Sequence, residues 1–293
     1  MRLGTRGSAL ALAQAGLVRE RLEALGQEVE VVEITTSGDA GRGAGEDKSR
    51  FVKEIEEALL RGEVDLAVHS AKDVPGELPD GLAIAGVPKR ADPRDAICGA
   101  AAIAELDEGA VVGTSSLRRR SQLLALRPDL DVREVRGNVD TRLGKLAGGE
   151  YEALVLARAG LLRLGRSKGE PVPEAEMTPA PGQGCLALEV RSDDEEMRGV
   201  AQRLTHGHSL LELTAERAVV TALHATCNTP VGARARLEGD VLTLVGFAGA
   251  ADGSVWIRDS LDGAPGDPVA LGHAVAARMV AAGAEAVLAD APG

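Results

Sequence analysis

Four polar side chains follow directly on a short apolar run at residues 64–68: His69, Ser70, Lys72 and Asp73. A nearly all-apolar run of this length is typical of a parallel strand buried on both faces. Pro75 prevents a helix from forming through the polar segment. Because ligands collect at the carboxyl ends of strands in α/β sheets, the cluster indicates a site where a carboxylate can transfer protons and a cation can hold an anion. The alternative is a solvated loop in which Lys72 and Asp73 form an ordinary surface ion pair.

Arginine is the second chemical feature of the chain, with 27 arginines and 6 lysines among its 33 basic residues. Arginine-rich chains are common in GC-rich organisms, so the positions carry more information than the number. Five arginines fall at or just beyond predicted strand ends in the middle of the chain: Arg118, Arg119, Arg136, Arg142 and Arg163. The ends of parallel strands share one edge of a sheet, and guanidinium groups bind carboxylates in a bidentate way. These positions therefore predict an anion pocket.

Two predicted strand-to-helix junctions point to the same chemistry. Arg6 and Ser8 lie between a strand at 2–5 and a helix that begins after Ser8 and ends at Gly26. Three hydroxyl groups precede Arg118 at the second junction: Thr114, Ser115 and Ser116. Free N–H groups at a helix N-terminus attract anions, so both junctions are candidate anion sites.

The order of the predicted elements is that of an α/β protein. Further strands are predicted at 29–34 and 82–87, and then, in a second sheet, at 111–114, 132–135 and 153–156. The charged segment 89–95 is typical of a linker, and strand 186–190 is expected to return to the first sheet after a proline- and glycine-rich crossing. The first helix is predicted to bury these residues: Leu10, Leu17, Val18, Leu22 and Leu25.

The C-terminal part of the chain has a different pattern. A capping-box signature at Ser209–Glu212 predicts the start of a long helix that ends near Ala225. Alternating strands are predicted at 231–237, 241–247 and 255–259, joined by Gly-Asp and Asp-Gly turns, and a helix is predicted at 269–288. This order predicts a small α+β domain with an antiparallel sheet.

Composition excludes several classes of protein. The chain has 293 residues and a net charge of −12, which disfavours nucleic acid or an anionic membrane as the main partner. No segment resembles a membrane span, and charged residues interrupt the N-terminal apolar stretch, so we expect no signal peptide and a cytoplasmic protein. Three widely spaced cysteines give no disulfide framework: Cys98, Cys185 and Cys227.

Two further motifs give weaker indications of function. The GAGEDKS segment has Asp47 where a phosphate-binding loop requires glycine, so residues 35–50 are interpreted as a mobile loop over a site. A zinc site is conceivable from His206, His208, His224 and Cys227. The alternatives for Cys227 are a small residue in an interdomain loop or a nucleophile that carries a covalent group.

Ten segments, in order and across nearly the whole chain, resemble one family. They are TRGSALALAQ (5–14), FVKEIEEALL (51–60), DLAVHSAKDVP (65–75), DPRDA (92–96), VGTSSLRR (112–119), RGNVDTRL (136–143), AGLLRLG (159–165), PGQG (181–184), TAERA (214–218) and the loop that contains Cys227. The chain is similar in these segments to the porphobilinogen deaminase family, also called hydroxymethylbilane synthase.

The resemblance implies three domains. Two are periplasmic-binding-protein-like α/β domains with a cleft between them, at residues 1–88 with 185–203 and at 93–180. The third is a small C-terminal α+β domain with an antiparallel three-stranded sheet, at 206–293. It carries a dipyrromethane cofactor as a thioether on Cys227, which implies that Cys98 and Cys185 are spectators.

The resemblance also implies the reaction, a step of tetrapyrrole (haem) biosynthesis. Four porphobilinogen molecules are condensed head to tail with loss of ammonia, linear hydroxymethylbilane is released, and dipyrromethane stays behind as a primer. The implied partners are porphobilinogen and its growing polypyrrole chain, with a monomeric protein and a handover to the next pathway enzyme. No metal, nucleic acid or membrane takes part.

Residue roles are implied only where this sequence matches the family. Asp73 is implied to donate a proton to the leaving amine, to stabilise the cationic pyrrole and to accept its α-proton. The implied cofactor-binding residues are Cys227, Lys72, Arg118, Arg119, Ser115, Ser116 and Arg136. The implied substrate-binding residues are Arg6, Ser8, Thr114, Arg142, Arg163, Ser70 and Gln183.

One segment departs from the family pattern. A GGKGLF-type run is common before FVKE, whereas this chain has Glu46 and Asp47 beside Lys48. The added negative charge leaves open any role for Lys48 or Arg50 in closing a loop over an anionic chain. Two other functions also remain open, a small-anion binding module of the same architecture and a zinc-dependent enzyme.

Overall fold

The computed structural model describes residues 1–36, 52–226 and 228–289. These residues form two compact units, Met1–Ala91 with Cys185–Leu211 and Asp92–Gly184 with Glu212–Gly293. The three-domain division inferred from the sequence stays a prediction. The loop predicted at 35–50, apart from its first two residues, lies outside the described residues, and so do the interpretations placed on Lys48, Arg50 and Cys227.

The described residues form thirteen strands and nine helices. The strands are β1 (Arg2–Arg6), β2 (Glu30–Ile34), β3 (Leu66–Ser70), β4 (Leu82–Gly86), β5 (Asp95–Cys98), β6 (Val111–Gly113), β7 (Asp131–Arg133), β8 (Ala153–Ala157), β9 (Glu170–Pro171), β10 (Leu186–Arg191), β11 (Val231–Glu238), β12 (Val241–Gly249) and β13 (Trp256–Gly263). The helices are α1 (Ala9–Ala24), α2 (Lys53–Leu60), α3 (Leu117–Leu126), α4 (Val139–Ala147), α5 (Arg158–Arg163), α6 (Glu195–Arg203), α7 (Gly207–Ala222), α8 (Pro268–Ala281) and α9 (Ala284–Ala289).

The first unit contains a five-stranded sheet with the order β2-β1-β3-β10-β4. Strand β1 is parallel to β2 and β3, whereas β10 is antiparallel to β3 and β4. The predicted return of strand 186–190 to this sheet is confirmed. Because β1 and β3 are parallel neighbours, their carboxyl ends lie at the same edge.

Helices cover both faces of this sheet. Helix α1 packs Val18 and Leu22 against Leu66 and Val68 on one face, in one core cluster. On the other face, α2 packs Ile55 and Leu59 against Ala67 and other apolar residues. The side chains of β3 therefore alternate between α1 and α2, as the pleat of a strand requires.

The predicted inner face of α1 is partly wrong. Leu17 and Leu25 are exposed, and the buried stripe is Ala11, Gln14, Ala15, Val18 and Leu22. This stripe keeps the helical spacing, but it uses small residues near the N-terminus of the helix. Alanines allow the helix backbone to approach the sheet closely. The buried face of α1 therefore cannot be located from its largest apolar residues alone.

A second five-stranded sheet in the other unit has the order β7-β6-β8-β5-β9. Strand β6 is parallel to β7 and β8, and β5 is antiparallel to β8 and β9. The prediction that segment 89–95 is entirely a linker is wrong at its end, because Asp95 begins β5 and is fully buried. The Asp95 carboxylate is paired with Arg118 and Arg119 inside the protein, so its charge does not indicate an exposed position.

The same unit also contains an antiparallel sheet with the order β11-β12-β13. Its core combines Leu242 and Leu244 of β12 with Val275 and Met279 of α8. The mixed α/β sheets and this three-stranded antiparallel sheet confirm the predicted fold class.

Two predicted helix boundaries in this part of the chain are wrong. Helix α7 begins at Gly207, before the predicted capping box, and the backbone N–H of Ser209 donates to Nδ1 of His206 (3.3 Å). The C-terminal helix is interrupted at Gly283, whose φ of +102° favours glycine and separates α8 from α9.

Candidate active site

In the first unit, five predicted site residues lie at or just after the carboxyl ends of two neighbouring parallel strands. Arg6 is the last residue of β1 and Ser8 follows that strand, whereas Ser70 is the last residue of β3 and is followed by Lys72 and Asp73. Ser8 caps α1, since its Oγ accepts a hydrogen bond from the backbone N–H of Ala11 (3.3 Å). The structure therefore places these residues at one edge of the sheet, beside a helix N-terminus. That arrangement can bind an anion and present a carboxylate to it.

Lys72 and Asp73 lie in a single 3-10 turn, Ala71–Asp73, which is held to the sheet at its first residue. The backbone N–H of Ala71 donates to the carbonyl oxygen of Cys185 (3.1 Å), immediately before β10. Both Lys72 and Asp73 are partly exposed. The turn thus presents an ammonium group and a carboxyl group from a fixed backbone.

The sequence did not identify Gln14 as a residue of this site. Its Nε2 donates a 2.9 Å hydrogen bond to Ser70 Oγ, and its side chain is buried on the inner face of α1. The sequence feature that could have identified Gln14 is its position, at helical spacing from the apolar residues Ala11, Ala15 and Val18. A buried amide at such a position needs a hydrogen-bond partner, and Ser70 supplies it.

Three buried titratable side chains lie on the opposite face of β3. His69 Nε2 is 2.9 Å from Glu189 Oε2 of β10, without the angular geometry of a hydrogen bond, and both side chains are almost fully buried. Glu56 of α2 belongs to the same cluster. Burial, with a contribution from the negative charge of Glu189, raises the pKa of Glu56 to about 7, although His69 opposes this shift.

In the second unit, the predicted anion residues follow the parallel strands β6, β7 and β8. Thr114, Ser115 and Ser116 follow β6 directly, and Arg136 follows β7. Thr114 Oγ1 accepts from the backbone N–H of Ser116 (3.2 Å), and Ser116 caps α3 because its Oγ accepts from the backbone N–H of Arg119 (3.5 Å). The hydroxyl groups therefore fix the backbone at the start of α3, where free N–H groups are available to an anion.

Arg118 and Arg119 converge on Asp95, a residue that the sequence did not single out. Asp95 Oδ2 lies 2.8 Å from Nη1 of Arg118, and Oδ1 lies 2.8 Å from Nη2 of Arg119. Gln183 also donates from Nε2 to Asp95 Oδ1 (2.9 Å). Burial alone raises the pKa of Asp95, but the two guanidinium groups lower it by more than burial raises it, so the pKa lies well below its ordinary value.

This network leaves positive charge in the interior. Arg118 and Arg119 are 4% and 6% exposed, and one carboxylate, that of Asp95, directly faces both. Arg118 Nε is buried without a hydrogen-bond partner. A carboxylate ligand satisfies both the excess charge and the unused donor, so the residues fit a ligand that carries carboxylates, such as a substituted pyrrole.

The other predicted arginines have different environments. Arg136 is the most exposed of them and pairs with Glu134 (2.8 Å). Arg142 Nε donates to the carbonyl oxygen of Gly137 (2.8 Å), and burial together with the nearby Arg119 charge lowers the pKa of Arg142. Arg163 donates from Nη2 to the carbonyl oxygen of Gly184 (2.7 Å). The second unit therefore combines the buried guanidinium groups of Arg118 and Arg119, which other residues hold in place, with that of Arg136, which extends into solvent.

The described residues that flank Cys227 are hydrogen-bonded to one another. Thr226 N–H donates to Thr229 Oγ1 (2.8 Å), and Asn228 N–H donates to Thr226 Oγ1 (3.3 Å). For the zinc alternative, the rings of His206 and His208 are 5.5 Å apart. Within the ranges that the structure describes, no group of three or more His, Cys, Asp or Glu side chains has the geometry to hold a metal ion.

None of the helices in the described part of the chain has both the length and the apolar character needed to cross a membrane. The two other cysteines, Cys98 and Cys185, are buried. Burial raises the pKa of the Cys98 thiol, which disfavours the nucleophilic thiolate.

Family models match both parts of the chain. "Porphobilinogen deaminase, dipyromethane cofactor binding domain" matches residues 1–199, and "Porphobilinogen deaminase, C-terminal domain" matches residues 210–281. The chain belongs to the porphobilinogen deaminase family. A porphobilinogen deaminase of Thermus thermophilus is 49% identical over 295 residues, with 98% of each chain covered. One of a Roseiflexus species is 48% identical, also with 98% of each chain covered.

A solved structure with lower similarity is the periplasmic VFT2 domain of BvgS from Bordetella pertussis. It is 14% identical, with a TM-score of 0.43, over 70% of this chain and 86% of that domain. At this score the likeness adds nothing to the family assignment, which depends on the sequence matches.

Proposed function

We propose that this chain condenses four porphobilinogen molecules head to tail, with release of ammonia, and forms linear hydroxymethylbilane for tetrapyrrole biosynthesis. The observation that carries the proposal is the match to both family models together with relatives nearly half identical over 98% of the chain. A binding module with the same sheets would need neither a carboxylate on the turn after β3 nor a cysteine in the C-terminal part.

Asp73 is proposed as the catalytic residue. It lies on a turn whose backbone is bonded to Cys185, at an edge that also carries Arg6 and Lys72. Its carboxyl group donates a proton to the leaving amine, its carboxylate stabilises the positive charge that develops on the pyrrole, and it then takes up the α-proton. Such a group contributes about 10²- to 10⁴-fold as a general acid or base. A fixed negative charge at the developing cation adds to this.

The arginines and hydroxyl groups are proposed to hold the acetate and propionate side chains of the pyrroles. Arg118, Arg119 and Arg136, with Ser115, Ser116 and Lys72, are assigned to dipyrromethane; Arg6, Ser8, Ser70, Thr114, Arg142, Arg163 and Gln183 are assigned to substrate. The buried positive charge around Asp95 and the unused Nε of Arg118 support the first set. When bound, dipyrromethane supplies the pyrrole α-carbon to which the first substrate ring is joined.

Cys227 is proposed as the attachment point, through a thioether. The buried positions of Cys98 and Cys185 make them poor nucleophiles and support this choice. We further propose three functional domains with the boundaries inferred from the sequence. The protein is proposed to act as a cytoplasmic monomer that passes its product to the next enzyme of the pathway.

The mass of the intact, denatured protein tests this function. We expect a surplus equal to two linked pyrroles in the purified protein, and its loss in Cys227→Ser. Cys98→Ser and Cys185→Ser are the matched controls and are expected to keep the surplus. A folded protein that shows no surplus, gains none when incubated with porphobilinogen and releases no ammonia would be a binding protein, and the proposal would be wrong.

A further inference from the structure

On the face of the sheet covered by α2, beside the residues of β3 that lead into the turn carrying Asp73, lies a buried group of titratable side chains for which the reaction gives no reason. Glu56, His69 and Glu189 are 7%, 4% and 0% exposed and come from α2, β3 and β10. Four of their polar atoms are buried without a hydrogen-bond partner: Glu56 Oε1, His69 Nε2, Glu189 Oε1 and Glu189 Oε2. A buried polar atom that lacks a hydrogen bond lowers the stability of the fold. A cluster of such atoms in a native interior therefore needs an explanation.

The position of the cluster in the sheet provides one. His69 is the residue before Ser70, and the two side chains lie on opposite faces of β3. On one face, Gln14 of α1 bonds Ser70. On the other face, Glu189 of β10 contacts His69. In the plane of the sheet, the backbone N–H of Ala71 donates to the carbonyl oxygen of Cys185, just before β10. The end of β3 is therefore held from both faces at the residues that lead into Asp73.

We propose that Glu56, His69 and Glu189 are positioning residues for the Ser70–Asp73 turn, and that ionisation of Glu56 loosens this turn and lowers turnover. The part that concerns turnover rests on the proposed function. The part that concerns the turn is a property of the fold and is tested separately.

The electrostatic reason is the balance of charge inside the cluster. With Glu56 protonated, the single carboxylate of Glu189 faces His69. With Glu56 ionised, two carboxylates share a site shielded from water, and their repulsion opposes the close approach of α2 and β10. The raised pKa of Glu56 places this change near neutral pH.

Other charged groups on the same side of the sheet do not cancel this repulsion at the contact itself. Arg191 of β10 donates to the carbonyl oxygens of Leu59 and Val64 and to the Asp194 carboxylate. On β1, Arg2 is bonded to Asp65, and Arg6 is the last residue of the strand. Strand β4 contributes no titratable side chain. The charges acting on Glu56 are therefore chiefly those of Glu189 and His69.

The first experiment compares the pH profiles of kcat and KM for the wild type and Glu56→Gln, which imitates the protonated acid. At about pH 6 we expect equal kcat values, and at about pH 8.5 we expect the variant to be about threefold faster, with KM alike at both. Glu57→Gln, at a half-buried neighbouring position on the same helix that pairs with Arg61, is the control and is expected to follow the wild type. If Glu56 had only a structural role, Glu56→Gln would change the stability of the protein but would leave the pH dependence of kcat the same as in the wild type.

The second experiment is independent of turnover. Hydrogen exchange of the peptide that spans residues 66–74 is measured in the wild type, Glu56→Gln and the control Glu57→Gln. At about pH 8.5 the wild type and Glu57→Gln are expected to exchange about fivefold faster than Glu56→Gln, and at about pH 6 the three are expected to agree.

The two experiments separate the inference from the proposed function. If the wild type consumes no porphobilinogen but the exchange result holds, the function is wrong and the positioning of the turn stands. If exchange and the kcat profile of Glu56→Gln match those of the wild type at both pH values, the inference is wrong.

Discussion

Gln14 Nε2 and Ser70 Oγ lie 2.9 Å apart in a hydrogen bond that joins the inner face of α1 to the last residue of β3. Ser70 immediately precedes the turn that carries Lys72 and Asp73. A buried amide therefore connects helix packing with the placement of the candidate catalytic carboxylate. Substitutions on α1, remote in sequence from Asp73, are expected to affect turnover.

Gln14→Ala tests this connection. The variant removes one buried hydrogen bond and leaves a small cavity, which costs about 1–2 kcal/mol of stability. We expect the protein to fold and kcat to fall severalfold, with KM changed less. The exposed Gln202→Ala on α6 is the control for a glutamine substitution in the same unit and is expected to leave both constants unchanged.

Asp73→Asn tests the catalytic assignment. The amide has almost the same shape but can neither donate the proton to the leaving amine nor accept the α-proton, so turnover is expected to fall about 10²- to 10⁴-fold. Circular dichroism and the thermal transition are expected to match those of the wild type. Asp80→Asn, an exposed position shortly after the same turn, is the control and should retain activity. Product formation by Asp73→Asn at a near-normal rate would contradict the role of Asp73.

The chemistry at strand ends was predictable because it depends on local sequence. The apolar run before His69 and the serines before Arg118 mark β3 and the start of α3 without knowledge of the rest of the fold. The same local signals predicted that Arg118 and Arg136 follow strands of one parallel sheet.

The residues that support these side chains were not predictable. Asp95 contacts Arg118 and Arg119, and Glu189 contacts His69, across long separations in sequence. A charged residue read alone is assigned to the surface, because burial of its charge is favourable only beside a partner that the fold supplies. The sequence alone therefore places Asp95 in a linker and Glu189 in a largely apolar strand.

Asp95→Asn is expected to be strongly destabilising. Removing the carboxylate leaves Arg118 and Arg119 buried without compensation, which costs about 3–5 kcal/mol in the free energy of unfolding measured with urea. Asp129→Asn, which breaks the more exposed pair with Arg127, is the control and should cost no more than about 1 kcal/mol. A small effect of Asp95→Asn, similar to that of the control, would show that the buried network does not depend on this charge.

The same carboxylate predicts a dependence on acid. Because the pKa of Asp95 is lower in the folded state than in the unfolded state, its stabilising contribution is present above the ordinary pKa of aspartate. The contribution is lost as the pH falls towards the folded-state value. We expect the difference in unfolding free energy between the wild type and Asp95→Asn to shrink progressively between about pH 5 and pH 2.

Glu56 predicts the opposite dependence on pH. Its pKa is raised from 4.5 to about 7, so the folded state binds its proton more tightly than the unfolded state does. The corresponding stability is fully present below about pH 4.5 and is lost as the pH rises through about 7. At about 1.4 kcal/mol per pKa unit, and with allowance for partial hydration, the loss is on the order of 2–3 kcal/mol. Urea unfolding at about pH 5 and pH 8 should therefore show a larger fall in stability for the wild type and for Glu57→Gln than for Glu56→Gln. Parallel falls in all three proteins would mean that Glu56 does not hold its proton in the folded state.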